Sequence, residues 1–523
     1  MERREFIAAT AMASVGLMAG RGFGAIKDFD LEEATVASLQ VAMQKGEVTS
    51  RDLVANYIAR IKSGDKQTNS IIEINPDALE IAASLDAERK AGKLRGPLHG
   101  IPVVLKDNID TADKMKTTAG SLALMDAPVP KRDAFLVEQL RRAGAVVLGK
   151  TNLSEWANFR STASTSGWSG RGGQTRNPYI LDRNPCGSSS GTGAAIAANF
   201  AAIGIGTETD GSIVCPSSIC GIVGLKPTVG LISRSGVIPI SASQDTAGPM
   251  TRTVADAAIM LSAMTAVDAN DPATAKNGTM ARTDYETFLQ PDGLKGAVIG
   301  VARDFWGKRA EVDRIMEASL DAMKKAGATL VDVKFPNLEK FGDAEFEVLQ
   351  FEFKDGLEKY LAGRGSRYKN LDDLIKFNNE NAAREMPYFK QEIFETSAKK
   401  GSLTTKEYLD ARALSIKLTR EEGIDAAMNK DKLDAIVAPS NAPTWMIDWV
   451  NGDCGSNYIS SSSLAAVAGY PSITVPAGFL RELPIGISFF GKPYTEHVLI
   501  RLAYAFEQAT KARRKPKFLP TAA

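Results

Sequence analysis

The chain of 523 residues carries 63 basic and 62 acidic side chains, a formal charge of +1, with 44% hydrophobic and 24% charged residues. This is the composition of a globular protein able to bury a large core, and its balanced charge lacks the basic field that nucleic-acid binding needs. Two histidines, His99 and His497, exclude a histidine-rich metal site, and four cysteines (Cys186, Cys215, Cys220, Cys454) without a CxxC spacing argue against zinc.

Residues 1–25 read MERREFIAATAMASVGLMAGRGFGA. The pair Arg3-Arg4, the weakly apolar alanine-rich run after it and the small residues at Gly24 and Ala25 resemble a twin-arginine export signal. A periplasmic or secreted destination is the expectation. The run is too short and too interrupted by glycine for a permanent anchor, and no other stretch offers the roughly 18 apolar residues of a span. No stable membrane insertion is expected.

Two helical patterns occupy Leu31 to Ile61, the second capped near Thr49-Ser50 with Leu53, Tyr57 and Ile61 on one face. A third helix covers Asp77 to Lys90. An apolar strand then runs from Gly100 to Lys106, an amphipathic helix from Asp133 to Arg142 and a strand from Ala145 to Leu148. Strand, helix, strand predicts parallel pairing in an α/β sheet. Gly144 to Thr151, GAVVLGKT, matches the phosphate-loop pattern. Yet Ala-Val-Val-Leu is a strand interior whose N–H groups belong to the sheet, so nucleotide binding is not expected. Ser154 to Pro178 is a long polar loop with four glycines and two tryptophans, long enough to expect substrate contact.

Farther on, Val298 to Val301 and Ala328 to Val333 read as strands around the helix Val312 to Lys325. Phe346 to Leu361 and Leu371 to Asn378 read as helices. Strands follow at Leu433 to Pro439, Ser472 to Pro476 and Ile485 to Phe490, and a helix closes the chain from Thr495 to Ala512. We expect a single domain over residues 30–515, with 284–430 as its more variable helical region.

The chain's most informative stretch is Pro185 to Pro216, PCGSSSGTGAAIAANFAAIGIGTETDGSIVCP. Ser188, Ser189 and Ser190 stand between Gly187 and Gly191, and after a small apolar run a second polar turn gathers Asp210, Gly211 and Ser212. Glycines beside serines permit turns that aim consecutive N–H groups at one anion. Three of the cysteines lie in or beside this stretch and read as small buried packing residues.

This stretch resembles the amidase signature family, whose motif runs Gly-Gly-Ser-Ser-Gly-Gly and on to Gly-Gly-Ser-Ile. Ser188 and Ser212 are 24 apart, the family spacing. The strand IPVVLKDN ending in Lys106, Asp107 and Asn108 matches the family's lysine. The resemblance extends from about Leu31 to Ala509. It implies an α/β fold, a three-layer α/β/α sandwich around a large mixed β-sheet, and a hydrolase that uses no cofactor and no metal. It also implies roles: Lys106 as base, Ser188 after a cis peptide bond as proton relay, and Ser212 as nucleophile. The N–H groups of Thr209, Asp210, Gly211 and Ser212 would hold the oxyanion. The residues themselves leave an alternative for Lys106, a salt bridge with Asp107 or another carboxylate. A lysine is almost wholly protonated at neutral pH, and only burial makes its neutral form substantial.

Two departures, Asp210-Gly211-Ser212 and Cys186-Gly187-Ser188-Ser189-Ser190-Gly191, together with SEWANF and GWSGRGGQTRNP upstream, look like the bacterial peptide amidase branch. The expected substrate is therefore a C-terminal peptide amide or amino-acid amide, split to acid and ammonia with internal peptide bonds spared. A small aryl or aliphatic amide is the alternative. The amidotransferase subunits of the family often carry an arginine two residues beyond the nucleophile, where Val214 stands here. No obligate protein partner is expected. Two other classes compete. Gly187 to Gly191 also fits the G-x-S-x-G elbow of esterases, which would need Ser189 as nucleophile and His497 as base. A binding protein on a degenerate scaffold would be expected to have lost one of the three residues.

Overall fold

The computed structural model describes residues 26–453 and 458–522, so the arginine pair, the apolar run of residues 1–25 and Cys454 lie outside the described residues. Eleven strands build one sheet. They are β1 Ile71–Ile74, β2 Pro102–Lys106, β3 Val146–Thr151, β4 Ile203–Glu208, β5 Val223–Lys226, β6 Thr246–Thr251, β7 Val298–Ala302, β8 Thr329–Val333, β9 Ala435–Pro439, β10 Ser472–Leu480 and β11 Leu483–Phe490. Their order is β1-β3-β2-β4-β6-β5-β10-β11-β9-β7-β8. The pairs β3–β2, β2–β4, β9–β7 and β7–β8 are parallel and the others antiparallel, so the sheet is mixed. Helices cover both faces, giving a three-layer α/β/α arrangement.

Strands β2, β3 and β4 are buried at every position. Continuous burial explains their near-continuous apolar sequence, because parallel strands sit between two helical layers. The helix Phe135–Arg142 makes the crossover between β2 and β3. The GKT of GAVVLGKT ends β3, and the buried Lys150 donates to Ile109 O and to Thr117 Oγ1 at 3.0 Å. That lysine is a sheet residue. The helix Ser50–Gly64 begins where its cap predicted: Thr49 Oγ1 accepts from Asp52 N and the Asp52 carboxylate accepts from Thr49 N, both at 3.1 Å.

The charged middle region supplies the helices Gly342–Arg364, Leu371–Glu380 and Glu392–Ala398. Their apolar faces form a cluster of their own, in which Leu349, Phe353 and Phe394 pack against Trp156, Phe159 and Ile240. The long loop from Ser154 thereby gains a wall built from distant sequence.

Candidate active site

Parallel pairing of β2 with β4 sets Leu105 opposite Ile205, which brings the end of β2 beside Thr207. Lys106 is fully buried there. Its Nζ lies 2.7 Å from Ser188 Oγ, 2.9 Å from Thr207 Oγ1 and 3.2 Å from Thr207 O. Asn108 Nδ2 donates to the same Thr207 Oγ1 at 2.9 Å. Burial lowers the Lys106 amine to about 7, against the opposing pull of Asp245 and Glu208. Asp107 does not pair with Lys106 but with Arg171 at 3.2 Å, and Lys106 forms no ion pair with a carboxylate among the described residues, where its Nζ bonds to Ser188 and Thr207 instead.

Ser188 sits in the turn before the helix Ser190–Ala197, and the Gly187–Ser188 peptide bond is cis. Its carbonyl accepts from Ser154 N at 3.1 Å. The next residue, Ser189, is fully buried; its Oγ donates to Thr207 O at 3.1 Å and accepts from Thr207 N at 3.2 Å. Ser189 N donates to Ser212 O at 3.2 Å, joining the two serine turns.

The second turn follows β4. Gly211 takes φ +77°, a value that favours glycine, and the short helix Val214–Ile219 starts after it. Glu208 Oε2 accepts from Ile213 N at 2.7 Å and Val214 N at 3.0 Å, satisfying the first amides of that helix. The N–H groups of Thr209, Asp210, Gly211 and Ser212 find no acceptor among the described residues. Thr209 Oγ1 donates to Asp245 Oδ1 at 2.6 Å, and burial raises Asp245 to about 6. Asp210 accepts from Ser463 Oγ at 2.6 Å; burial raises it, and burial together with the Asp210 charge raises Glu345.

Ser212 opens onto a cavity of about 480 Å³. Gly187, Thr209, Asp210 and Gly211 form its floor, while Phe159, Ile240, Leu349 and Trp445 form apolar walls. No lysine, arginine or histidine lines it among the described residues. The Ser212 hydroxyl makes no hydrogen bond to a described residue. Exposure falls from Ser212 (9%) through Ser188 (1%) to Lys106 (0%), the order in which a proton would leave the cavity.

The structure separates the pair that the esterase alternative requires. His497 packs on Phe288, with ring centroids 5.1 Å apart, and Arg282 and Arg501 lower its pKa further after burial. Ser189 instead clamps the backbone of Thr207. His99 is buried, its Nε2 2.9 Å from Leu85 O. The packing role read for the cysteines needs correction: Cys186 and Cys215 form a disulfide, Cα atoms 6.0 Å apart, while Cys220 is a buried free thiol. Their positions, two residues before Ser188 and three after Ser212, were the one sign of it in the sequence. Thr207, Asp245 and Ser463 were not singled out from the sequence, and no local pattern marks them.

The sequence matches the Amidase family model over residues 52–500. A "Probable amidase" of Arabidopsis thaliana is 40% identical over 94% of this chain and 93% of its own. A glutamyl-tRNA(Gln) amidotransferase subunit from Caldanaerobacter subterraneus is 34% identical over 93% of this chain and 99% of its own. Among solved structures, native peptide amidase from Stenotrophomonas maltophilia superposes with a TM-score of 0.89 at 49% identity, covering 94% of this chain and all of that one.

Proposed function

The chain belongs to the amidase family and is an amide hydrolase, and we propose that it removes the amide from C-terminally amidated peptides or amino-acid amides. The observation that carries this reading is the cavity at Ser212, which offers the N–H groups of residues 209 to 212, a mixed polar and apolar lining that includes the carboxyls of Asp210 and Asp453, and no cation. A free C-terminal carboxylate finds no charge partner there, whereas a carboxamide needs none. Its volume of about 480 Å³ lies within the range of ligand pockets, roughly 300–1,000 Å³. Similarity to peptide amidase supports the same reading.

In the proposed reaction the substrate carbonyl points at the N–H groups of residues 209 to 212, which take the charge that develops on its oxygen. Ser212 attacks, its proton passes to Ser188 and from there to neutral Lys106. The tetrahedral intermediate collapses as the proton returns through Ser188 to the departing nitrogen, releasing ammonia. Water then attacks the acyl-Ser212 ester along the same relay, and the acid leaves a cavity that offers it no cation.

A part in amide transfer to a charged transfer RNA is the competing reading, favoured by the similarity to the glutamyl-tRNA(Gln) amidotransferase chain. Val214 and the near-zero net charge weigh against it. We further propose export through residues 1–25, a reading supported by the Cys186–Cys215 disulfide, since such bridges persist in oxidising compartments. The substrate test is mass spectrometry of an amidated peptide incubated with the protein. Conversion of the terminal amide to acid, with internal bonds intact, is expected. An untouched peptide amide beside rapid turnover of a simple anilide or aliphatic amide contradicts the peptide reading.

A further inference from the structure

Two turns carry the serines of the proposed reaction; the first is tied to the strand before the second through Ser189 and Thr207, but the turns themselves share few bonds. Among the described residues, the segments 186–191 and 209–216 share one hydrogen bond, Ser189 N to Ser212 O at 3.2 Å. The covalent link is the bond between Cys186 and Cys215, 29 residues apart in sequence. Cys186 precedes Ser188 by two residues and Cys215 follows Ser212 by three. Cys186 also holds φ at +59°, a left-handed value costly for a side chain, so its turn needs external support. That support is otherwise local: Cys186 N donates to Asn184 Oδ1 at 2.8 Å and Ser190 Oγ donates to Cys186 O at 2.6 Å.

We propose that the Cys186–Cys215 disulfide is a positioning element of the amidase centre, holding Ser188 and Ser212 in register so that turnover depends on its oxidised state. The proposal rests on the serine-amidase reading above. Both cysteines line the cavity at Ser212, so a small thiol entering with solvent reaches the bridge. Dithiothreitol would break the S–S bond with two electrons, leaving two protonated cysteines and a cyclic oxidised reagent. Cys220 is no substitute partner. It is fully buried, absent from the cavity wall, and its Sγ donates to Pro185 O at 3.7 Å.

A displaced nucleophile changes the chemical step more than binding. Misplacement of about 1 Å costs on the order of 10²-fold in rate. The test compares kcat and KM for amide hydrolysis in oxidised protein, in protein reduced by dithiothreitol and alkylated, and in the C186S/C215S variant, with circular dichroism confirming that each is folded. Thiol counting on the oxidised protein should find no free thiol at Cys186 or Cys215. We expect reduction to lower kcat by about tenfold or more with KM moved far less. Reoxidation of the unalkylated protein should restore it, and C186S/C215S should be equally slow and indifferent to dithiothreitol. Should the variant not fold, the reduced wild-type protein gives the same reading. Unchanged kcat in folded reduced protein, even beside a lower melting temperature, would make the bridge a stabiliser only and overturn the proposal. Free thiols at both positions in active oxidised protein would overturn it too. Oxidised protein that hydrolyses no amide would instead remove the amidase reading on which it stands.

Discussion

Lys106 meets three polar atoms, and a neutral amine has two protons and one lone pair to offer them. Thr207 O can only accept, and Thr207 Oγ1, which already accepts from Asn108, has a second lone pair for the other amine proton. With both protons on Thr207, the lone pair faces the Ser188 hydroxyl at 2.7 Å. Protonation fills that direction and stops the relay. Because burial lowers the amine to about 7, kcat/KM should rise with pH through neutrality as Lys106 loses its proton. In Lys106→Ala that limb should vanish and the rate fall by about 10²–10⁴-fold. A wild-type profile flat across neutrality would remove Lys106 as base. Ser189→Ala should slow turnover by loosening Thr207 while Ser212 still reacts with a serine-directed inhibitor, and His497→Ala should stay near the wild-type rate. Loss of activity in His497→Ala would return the esterase alternative. The serines were legible because glycines and serines cluster around them in a pattern that ordinary turns do not repeat. Thr207 was not, since it sits in an ordinary strand and touches Lys106 only through the register of β2 with β4. The cysteine pairing was hidden for the same reason, because a turn, a helix and a strand must fold before the sulfurs meet.

The elements around the cavity come from distant parts of the sequence, between residues 157 and 463, and one buried ion cluster fastens them. Arg160, from the long loop, lies 2.8 Å from Glu155 Oε1 with both side chains almost fully buried, and its guanidinium stacks 4.4 Å from the Phe389 ring centroid. Glu385, beyond the helix Leu371–Glu380, accepts from Ser121 Oγ and from Leu122 N at 2.8 Å. Burial raises Glu385 while Arg160 pulls it back down. Burial raises Glu155 to about 8 against the pull of Arg160, so Arg160→Met should destabilise the fold by less than the roughly 3–5 kcal/mol of a fully charged buried pair, but measurably, because it removes the cation beside two buried carboxyl groups. Urea unfolding measures this, and a loss within a few tenths of a kcal/mol would mean that the loop is held by its aromatic packing alone. At this scale the strands and helices were legible from periodicity: the β2–β3 parallel unit and the helices from Phe346 and Leu371 form where expected. The closure of the middle helices over the long loop was not, since it depends on contacts more than two hundred residues apart, such as Arg160 with Phe389 and Lys390.

At the scale of the whole molecule, one mixed sheet brings the two serine turns and the strap from Asn441 to Asp453 to a single cavity, with Lys106 of β2 buried behind them. Asp453 in that strap accepts from Trp445 Nε1 at 3.0 Å and from Ser166 N, tying it to the long loop. Export is the proposal that concerns the chain as a whole. The first 30 or so residues fused to a reporter should carry it out of the cytoplasm, and replacing Arg3 and Arg4 by lysine should retain it; unchanged export would make the arginine pair incidental. In the proposed reaction this sheet presents Ser212 as the nucleophile of an amide hydrolase. The most direct measurement is to quench the protein during turnover of an amide, digest it and locate the acyl group by mass spectrometry. The expected result is an acyl ester on Ser212, and neither adduct nor turnover in Ser212→Ala. An acyl group on Ser189, or hydrolysis that persists in Ser212→Ala, would contradict it.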